Sequence, residues 1–211
     1  PLVLGDTATR RPFLAELESV RGIAAVSVAI FHSAHIVPVD GKPLIFLKKF
    51  SELDTVSVAA MRLLMTVFSG AGAVSMFFVL SGFVLMQSLM RDPRAPVPLA
   101  RSFIARRILR IYPALFVNLI VMAAVLSLPA KPLLQNLALI SPSVNGASWS
   151  LFVEIFAIPL MLCTFAAVRF GGSAAMLAIV ALSITIPYQP KFYVADTIIF
   201  WFMFACGMAA A

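Results

Sequence analysis

The sequence predicts an all-α, polytopic membrane protein, a helical bundle with about six transmembrane helices. Hydrophobic residues make up 62% of the 211 positions, only 12% are charged, and the mean hydropathy is +1.02. Soluble domains average about half apolar and about a quarter charged residues. The composition therefore excludes a soluble globular protein.

Apolar runs place the spans along the chain. A helix needs roughly 20 residues to cross a hydrocarbon core of about 30 Å, and this length defines a span. The first run shows no small-residue cleavage site and is too long for a signal peptide. The six predicted spans are residues 17–37, 70–90, 113–128, 149–168, 173–187 and 194–211.

The connections follow from proline, glycine and charge. The tail at 1–14 is polar, Pro38–Gly41 ends the first span, and residues 42–66 have the mixed pattern of an amphipathic helix lying on the membrane surface. A basic amphipathic helix at 99–112 precedes a break or kink at Pro113. Further connections are a proline-rich loop at 91–98, a loop at 129–147, a tight turn at Arg169–Gly172 and a short loop at 188–193.

The placement of lysine and arginine predicts the orientation. The tail, residues 91–110 and the turn at 169–172 hold nine arginines, whereas acidic residues largely offset the basic residues at 38–66 on the other side. Positive charge accumulates in cytoplasmic loops. We therefore expect an integral membrane protein with a cytoplasmic N-terminus.

The net charge of +7 does not indicate a nucleic-acid partner. Six of the sixteen basic residues lie between Arg91 and Arg110, which fits membrane topology and local anion binding. Cys163 and Cys206 lack metal-ligand spacing and are expected to be buried hydrophobes. The sequence predicts no metal site. Because the chain starts without Met and stops inside an apolar run, we expect a piece of a longer protein.

His32 is an ionisable residue within the first apolar span. Such residues are costly in a bilayer and usually face a cavity or take part in chemistry, and imidazole changes charge near neutral pH. Arg21 lies eleven residues earlier, which is close to three helical turns and about 16 Å along one helix face. The pattern predicts proton transfer at His32, against the alternative of a structural histidine; His35 is expected at the interface.

Glu154 is the acidic residue of the fourth span. A lone carboxylate is unfavourable in an apolar environment, so it should be protonated or paired with an arginine or histidine. Ser150 lies one turn earlier on the same face, and Pro159 leaves a backbone carbonyl unbonded just beyond. Topology allows Glu154 to meet His32. Structural pairing and a role in proton transfer both remain open.

Arg107 and Arg110 lie one turn apart in the basic helix. Two guanidinium groups at this spacing suit the capture of a phosphate. The alternative is a positive-inside cluster that contacts lipid headgroups. In the second span, Ser81 and Gly82 are typical of close helix packing.

Four segments in this order resemble the acyltransferase-3 family of integral membrane acyltransferases. They are Leu-Glu-Ser-Val-Arg-Gly-Ile-Ala-Ala from Leu17 on to His32, Phe-Phe-Val-Leu-Ser-Gly-Phe at 77–83, Arg-Arg-Ile-Leu-Arg-Ile-Tyr-Pro at 106–113 and Ser-Trp-Ser-Leu-Phe-Val-Glu at 148–154. The first segment departs from the more frequent Leu-Asp-Gly-Leu-Arg-Gly, keeping an acid and changing the small residue to serine.

The resemblance implies about ten spans, so residues 1–211 would be a single transmembrane acyltransferase domain truncated at its C-terminal side. It implies an O-acyltransferase that uses cytoplasmic acyl-CoA, with acetyl-CoA expected, as a co-substrate rather than a permanently bound cofactor. The acceptor would be a hydroxyl of a carbohydrate or lipid-linked glycan of the cell envelope, and the membrane would be the bacterial inner (plasma) membrane. His32 would be the catalytic residue.

The residues and the resemblance together give one mechanism. Arg21, Arg107 and Arg110 would hold the CoA phosphates, and His32 would act as general base with Glu154 orienting it. Trp149 and Ser150 would line the acceptor side. Covalent transfer through His32 remains open beside direct transfer. The alternatives from other classes are a transporter or proton-coupled channel using His32 and Glu154, and a non-catalytic membrane scaffold.

Overall fold

The computed structural model describes residues 12–36, 56–141, 144, 148–185 and 193–211, and these residues are organised as helices. This confirms the predicted all-α fold. The helices are α1 (Pro12–Ile36), α2 (Val56–Val67), α3 (Gly70–Arg91), α4 (Pro96–Leu126), α5 (Ala130–Leu137), α6 (Trp149–Thr185) and α7 (Tyr193–Ala209).

Three helical stretches in the described part of the chain are long and apolar enough to cross a membrane. They are Val56–Arg91, Pro96–Leu126 and Trp149–Ile184, and Phe200–Ala209 is a shorter apolar helix. Every predicted span falls on a helix: the first on α1, the second on α3, the third on α4, the fourth and fifth on α6, and the sixth on α7.

Of the predicted break or kink at Pro113, the break is wrong, because α4 is helical from Pro96 to Leu126, and the kink stays a prediction. A proline inside a helix removes the hydrogen bond to the carbonyl four residues earlier, here that of Leu109. The helix continues because Ile111 and Leu115, on either side of the proline, are both buried against the rest of the bundle. The helix ends at Ser127, which has a left-handed conformation.

The turn predicted at Arg169–Gly172 is a kink within α6. Gly172 has φ 58° and ψ −148°, and the chain is helical on both sides of it. Residues with a Cβ rarely adopt this combination. A single glycine therefore separates the two helical segments that the hydropathy predicts as the fourth and fifth spans.

Some predictions fall on parts of the chain that the structure does not describe. The break at 38–41, nearly all of the polar tail at 1–14 and most of the loop at 188–193 lie outside the described residues. Of the predicted surface helix at 42–66, the described portion belongs to α2.

The chain divides into two compact units, Pro1–Leu80 and Ser81–Ala211. In the first unit, α3 approaches α1 closely at Gly70. A Cβ built at Gly70 would lie 2.6 Å from Cδ1 of Phe31. Glycine is therefore the residue that fits at this contact.

In the second unit, α4 contributes a row of buried side chains spaced four residues apart. The row consists of Leu99, Phe103, Arg107, Ile111, Leu115 and Leu119. Its C-terminal part packs with Phe152 of α6 and Leu139 into an apolar cluster. The opposite surface of α4 exposes large apolar side chains, including Leu109, Val117 and Val125. That surface suits contact with lipid tails.

Candidate functional site

The imidazole of His32 is held by the backbone of its own helix. Its Nδ1 lies 2.8 Å from the carbonyl oxygen of Val28, one turn earlier in α1. A carbonyl oxygen only accepts hydrogen bonds, so Nδ1 carries the proton and donates it. In the neutral ring, Nε2 then has the lone pair. This arrangement gives His32 the tautomer that a general base needs at Nε2.

The neighbouring aromatic ring also contacts His32. The rings of Phe31 and His32 lie 5.7 Å apart and meet edge to face, with an interplanar angle of 79°. The imidazole is half-buried. Because α1 is continuous from Pro12 to Ile36, Arg21 and His32 keep the predicted separation of about 16 Å along one helix.

Arg107 occupies the middle of the buried row of α4. It is 5% exposed and lies between Phe103 and Ile111, which are also buried. Burial of a guanidinium among apolar side chains is costly unless an anion compensates the charge. The structure supplies one: Nη1 of Arg107 donates to Oε2 of Glu154 on α6 at 3.4 Å.

Glu154 receives a second donor from α3. The hydroxyl of Ser81 lies 3.5 Å from Oε1 of Glu154, at the outer limit of a hydrogen bond. Ser81 is itself buried. The side chain of Glu154 is 22% exposed, so Ser81 of α3 and Arg107 of α4 hold a carboxylate on a side chain that is only partly buried. We call Ser81, Arg107 and Glu154 the carboxylate cluster.

The approach of α3 to α7 beside Ser81 depends on a glycine. A Cβ at Gly82 would overlap the carbonyl oxygen of Phe204 and lie 3.1 Å from its Cα. The backbones of the two helices are therefore nearly in contact. Small residues permit this kind of packing in membrane helices, and it places the Ser81 hydroxyl in the interior of the second unit.

The two arginines of the Arg107–Arg110 pair have different environments. Arg107 is buried against Glu154, whereas Arg110, three residues later, is exposed. A residue three positions further on is rotated by about 60° around a helix, which suffices to carry Arg110 out of the buried row. The two residues therefore differ in what they can bind.

Trp149 begins α6 and packs on α7. Its ring lies 5.2 Å from that of Phe200, with an interplanar angle of 38°. Just before it, the buried Ser148 and Asn136 are within hydrogen-bond distance, with 3.4 Å from Asn136 Nδ2 to Ser148 Oγ. Ser150 is half-buried. This polar contact joins α5 to the start of α6. Trp149 and Ser150, which are predicted to contact the acceptor substrate, lie there.

A second ion pair, outside the carboxylate cluster, joins Asp92 and Arg94 in the loop between α3 and α4. Arg94 Nη2 lies 2.6 Å from Asp92 Oδ2, its Nε donates to Oδ1 at 2.8 Å, and Arg106 lies 3.8 Å from the same carboxylate. The hydrogen bond from the Arg94 side chain holds the pKa of Asp92 below its usual range and raises that of Arg94.

The predicted site residues fall in both units. His32 and Arg21 belong to the first, whereas Arg107, Arg110, Trp149, Ser150 and Glu154 belong to the second. The meeting of His32 with Glu154 therefore stays a prediction. Sequence reasoning missed Ser81, which it assigned to packing, and Asn136. The available signal for Ser81 was a hydroxyl in the middle of an apolar span.

The geometry describes a helix, α1, that carries His32, and a helical unit that carries a partly buried carboxylate held by two donors. A model of the acyltransferase-3 family, described as an acyltransferase domain, matches residues 14–211. The chain belongs to this family. It is an integral membrane acyltransferase. No curated protein and no solved structure matches the chain.

Proposed function

We propose that this acyltransferase moves an acyl group, with acetyl expected, from cytoplasmic acyl-CoA to a hydroxyl of a carbohydrate or lipid-linked glycan. The observation that carries the proposal is the imidazole of His32, whose Nδ1 is bonded to Val28 while Nε2 has no other partner in the described part of the chain. A hydroxyl is a weak nucleophile at neutral pH and needs a base within reach.

In the proposed reaction, Nε2 of His32 accepts the proton of the acceptor hydroxyl while the hydroxyl oxygen attacks the thioester carbonyl. The new C–O bond forms and the C–S bond breaks. CoA leaves as a thiolate, takes the proton from the imidazolium and departs as free thiol. His32 returns to its starting state. Base catalysis of this kind contributes about 10²–10⁴-fold to the rate.

Glu154 is the proposed partner of the imidazolium. Its support comes from the carboxylate cluster, in which Arg107 and Ser81 hold the carboxylate of a side chain that is 22% exposed. A carboxylate has about four lone-pair positions, so two donors leave room for a third contact. In this proposal Arg107 is a positioning residue that acts through Glu154.

Arg110 and Arg21 are the proposed contacts of the CoA phosphates. Phosphate oxygens are strongly hydrated, and an exposed guanidinium meets them without first leaving a buried ion pair. Arg110 is exposed on the same helix that carries Arg107, which supports this division of roles. Trp149 and Ser150, at the start of α6, are the proposed contacts of the acceptor.

Acetyl-CoA labelled in its acetyl group tests the proposal in membranes that contain the protein. We expect label in the glycan or lipid fraction and an equal amount of free thiol, with both lost in His32→Ala and kept in His35→Ala. Thiol release that is equal in wild type and His32→Ala would remove the enzymatic role of His32 and favour a transporter. His32-dependent label on the protein itself would replace direct transfer by a covalent relay.

A further inference from the structure

A cavity of about 290 Å³ opens between the start of α4 and the middle of α6, within the second unit. Two arginines, Arg94 and Arg169, are its charged lining residues, and the rest of the lining is apolar, including Leu99, Leu162 and Phe165. Its volume is near the lower end of the range for small-molecule sites. The cavity is distinct from the carboxylate cluster, which does not line it.

The charged end of this cavity has an excess of positive charge. Arg169 is exposed and has no ion-pair partner among the described residues. Arg94 uses Nε and Nη2 for Asp92, and Nη1 takes no part in that contact. Asp92 also faces Arg106. The one carboxylate near Arg94 is therefore shared by two guanidinium groups and does not line the cavity, so an anion with phosphate geometry complements Arg94 and Arg169.

The apolar walls of the cavity favour a lipid over a nucleotide as its ligand. A nucleotide needs hydrogen-bonding groups for its base and ribose, and the cavity has no polar side chain besides the two arginines. A phospholipid needs a cationic contact for its phosphodiester and an apolar surface for its chain. Basic pockets between membrane helices bind anionic headgroups in this way.

We propose that this cavity is a binding site for one anionic phospholipid. Arg94 and Arg169 hold its phosphodiester, and one acyl chain lies against Leu99, Leu162 and Phe165. Leu99 begins the buried row that contains Arg107, eight residues or about 12 Å further along α4. The bound lipid stabilises the same α4–α6 contact that holds the carboxylate cluster.

Native mass spectrometry of the purified protein with phosphatidylglycerol or phosphatidylcholine tests this site. We expect preferential retention of phosphatidylglycerol and about a five-fold loss of its affinity in Arg169→Gln. Arg101→Gln is the matched control, because Arg101 is exposed on α4 and does not line the cavity. A second variant, Ala166→Phe, fills the cavity without changing the charge and should also lower retention.

Three results would overturn the proposal. Equal losses in Arg169→Gln and Arg101→Gln would indicate unspecific attraction to the basic loop. Unchanged phosphatidylglycerol binding in both Arg169→Gln and Ala166→Phe would exclude the cavity. Selective loss of acetyl-CoA binding in Arg169→Gln, with lipid binding intact, would assign the cavity to the acyl donor. These readouts are independent of whether His32 acts as the base.

Discussion

Nη1 of Arg107 lies 3.4 Å from Oε2 of Glu154, which joins α4 to α6 through an ion pair at 6% and 22% side-chain exposure. Removing one partner of such a pair leaves an uncompensated charge, whereas replacing both by apolar side chains removes the cost of burial. We therefore expect the ion pair to contribute more to holding Glu154 in position than to the net free energy of unfolding.

Arg107→Leu should destabilise the protein by about 3 kcal/mol, because Glu154 keeps its charge without its partner. Arg107→Leu combined with Glu154→Leu should recover most of that loss in thermal unfolding in detergent, yet remain inactive in acyl transfer. Arg110→Leu is the control and should change stability by less than about 0.5 kcal/mol. Equal destabilisation by the single and double variants would contradict a coupled pair.

Gly82→Ala should lower the unfolding temperature strongly, because a Cβ there overlaps backbone atoms of Phe204. Backbone atoms within a helix cannot move aside as the end of a flexible side chain can. Overpacking of this kind costs about 1–3 kcal/mol. Gly72→Ala in the same helix is the matched control, since its nearest neighbour is Ser69 Oγ at 3.4 Å. If the two variants unfold at the same temperature, the close contact of α3 with α7 is wrong.

Gly172→Ala should cost about 1–3 kcal/mol through backbone strain alone, because φ is 58° and nothing lies within 4 Å of a Cβ there. Gly22 in α1 also has open space around a Cβ but a helical backbone. Gly22→Ala should therefore be neutral or slightly stabilising. A mild effect at Gly172 would mean that the kink of α6 does not need a glycine.

The Asp92–Arg94 ion pair should make stability depend on pH in the acid range. The folded-state pKa of Asp92 is lowered chiefly by the hydrogen bond from Arg94. The contribution is therefore complete above the unfolded-state pKa of about 4 and is lost as the pH falls through the lower folded value. Unfolding temperatures of wild type and Asp92→Asn should differ at pH 7 and converge as the pH falls below the unfolded-state pKa of about 4. A constant difference would contradict this assignment.

The sequence was sufficient for the long apolar helices but not for α5, which lies within the predicted loop at 129–147, nor for the contacts between the helices. Hydropathy placed each predicted span on a helix, because a bilayer demands long apolar helices, and three helical stretches among the described residues are long and apolar enough to cross a membrane. Hydropathy alone does not predict that α4 continues through Pro113. The helix is stabilised there by the burial of Ile111 and Leu115.

The pairing at Glu154 shows the same limit. Its position in an apolar span predicted a charged partner or protonation, but several arginines and a histidine were candidates. Only the packing of α4 on α6 selects Arg107, and only the contact at Gly82 brings in Ser81. The position of His32 relative to this cluster stays a prediction for the same reason.

The rate at which His32→Asn releases CoA from acetyl-CoA, in membranes with acceptor, tests the role of His32 most directly. Asparagine can keep a donor for the Val28 carbonyl but supplies no base. We expect a loss of about 10²–10⁴-fold, and no more than a two-fold change in His35→Asn. Equal loss in both variants, or wild-type release by His32→Asn, would contradict the role of His32 as the general base.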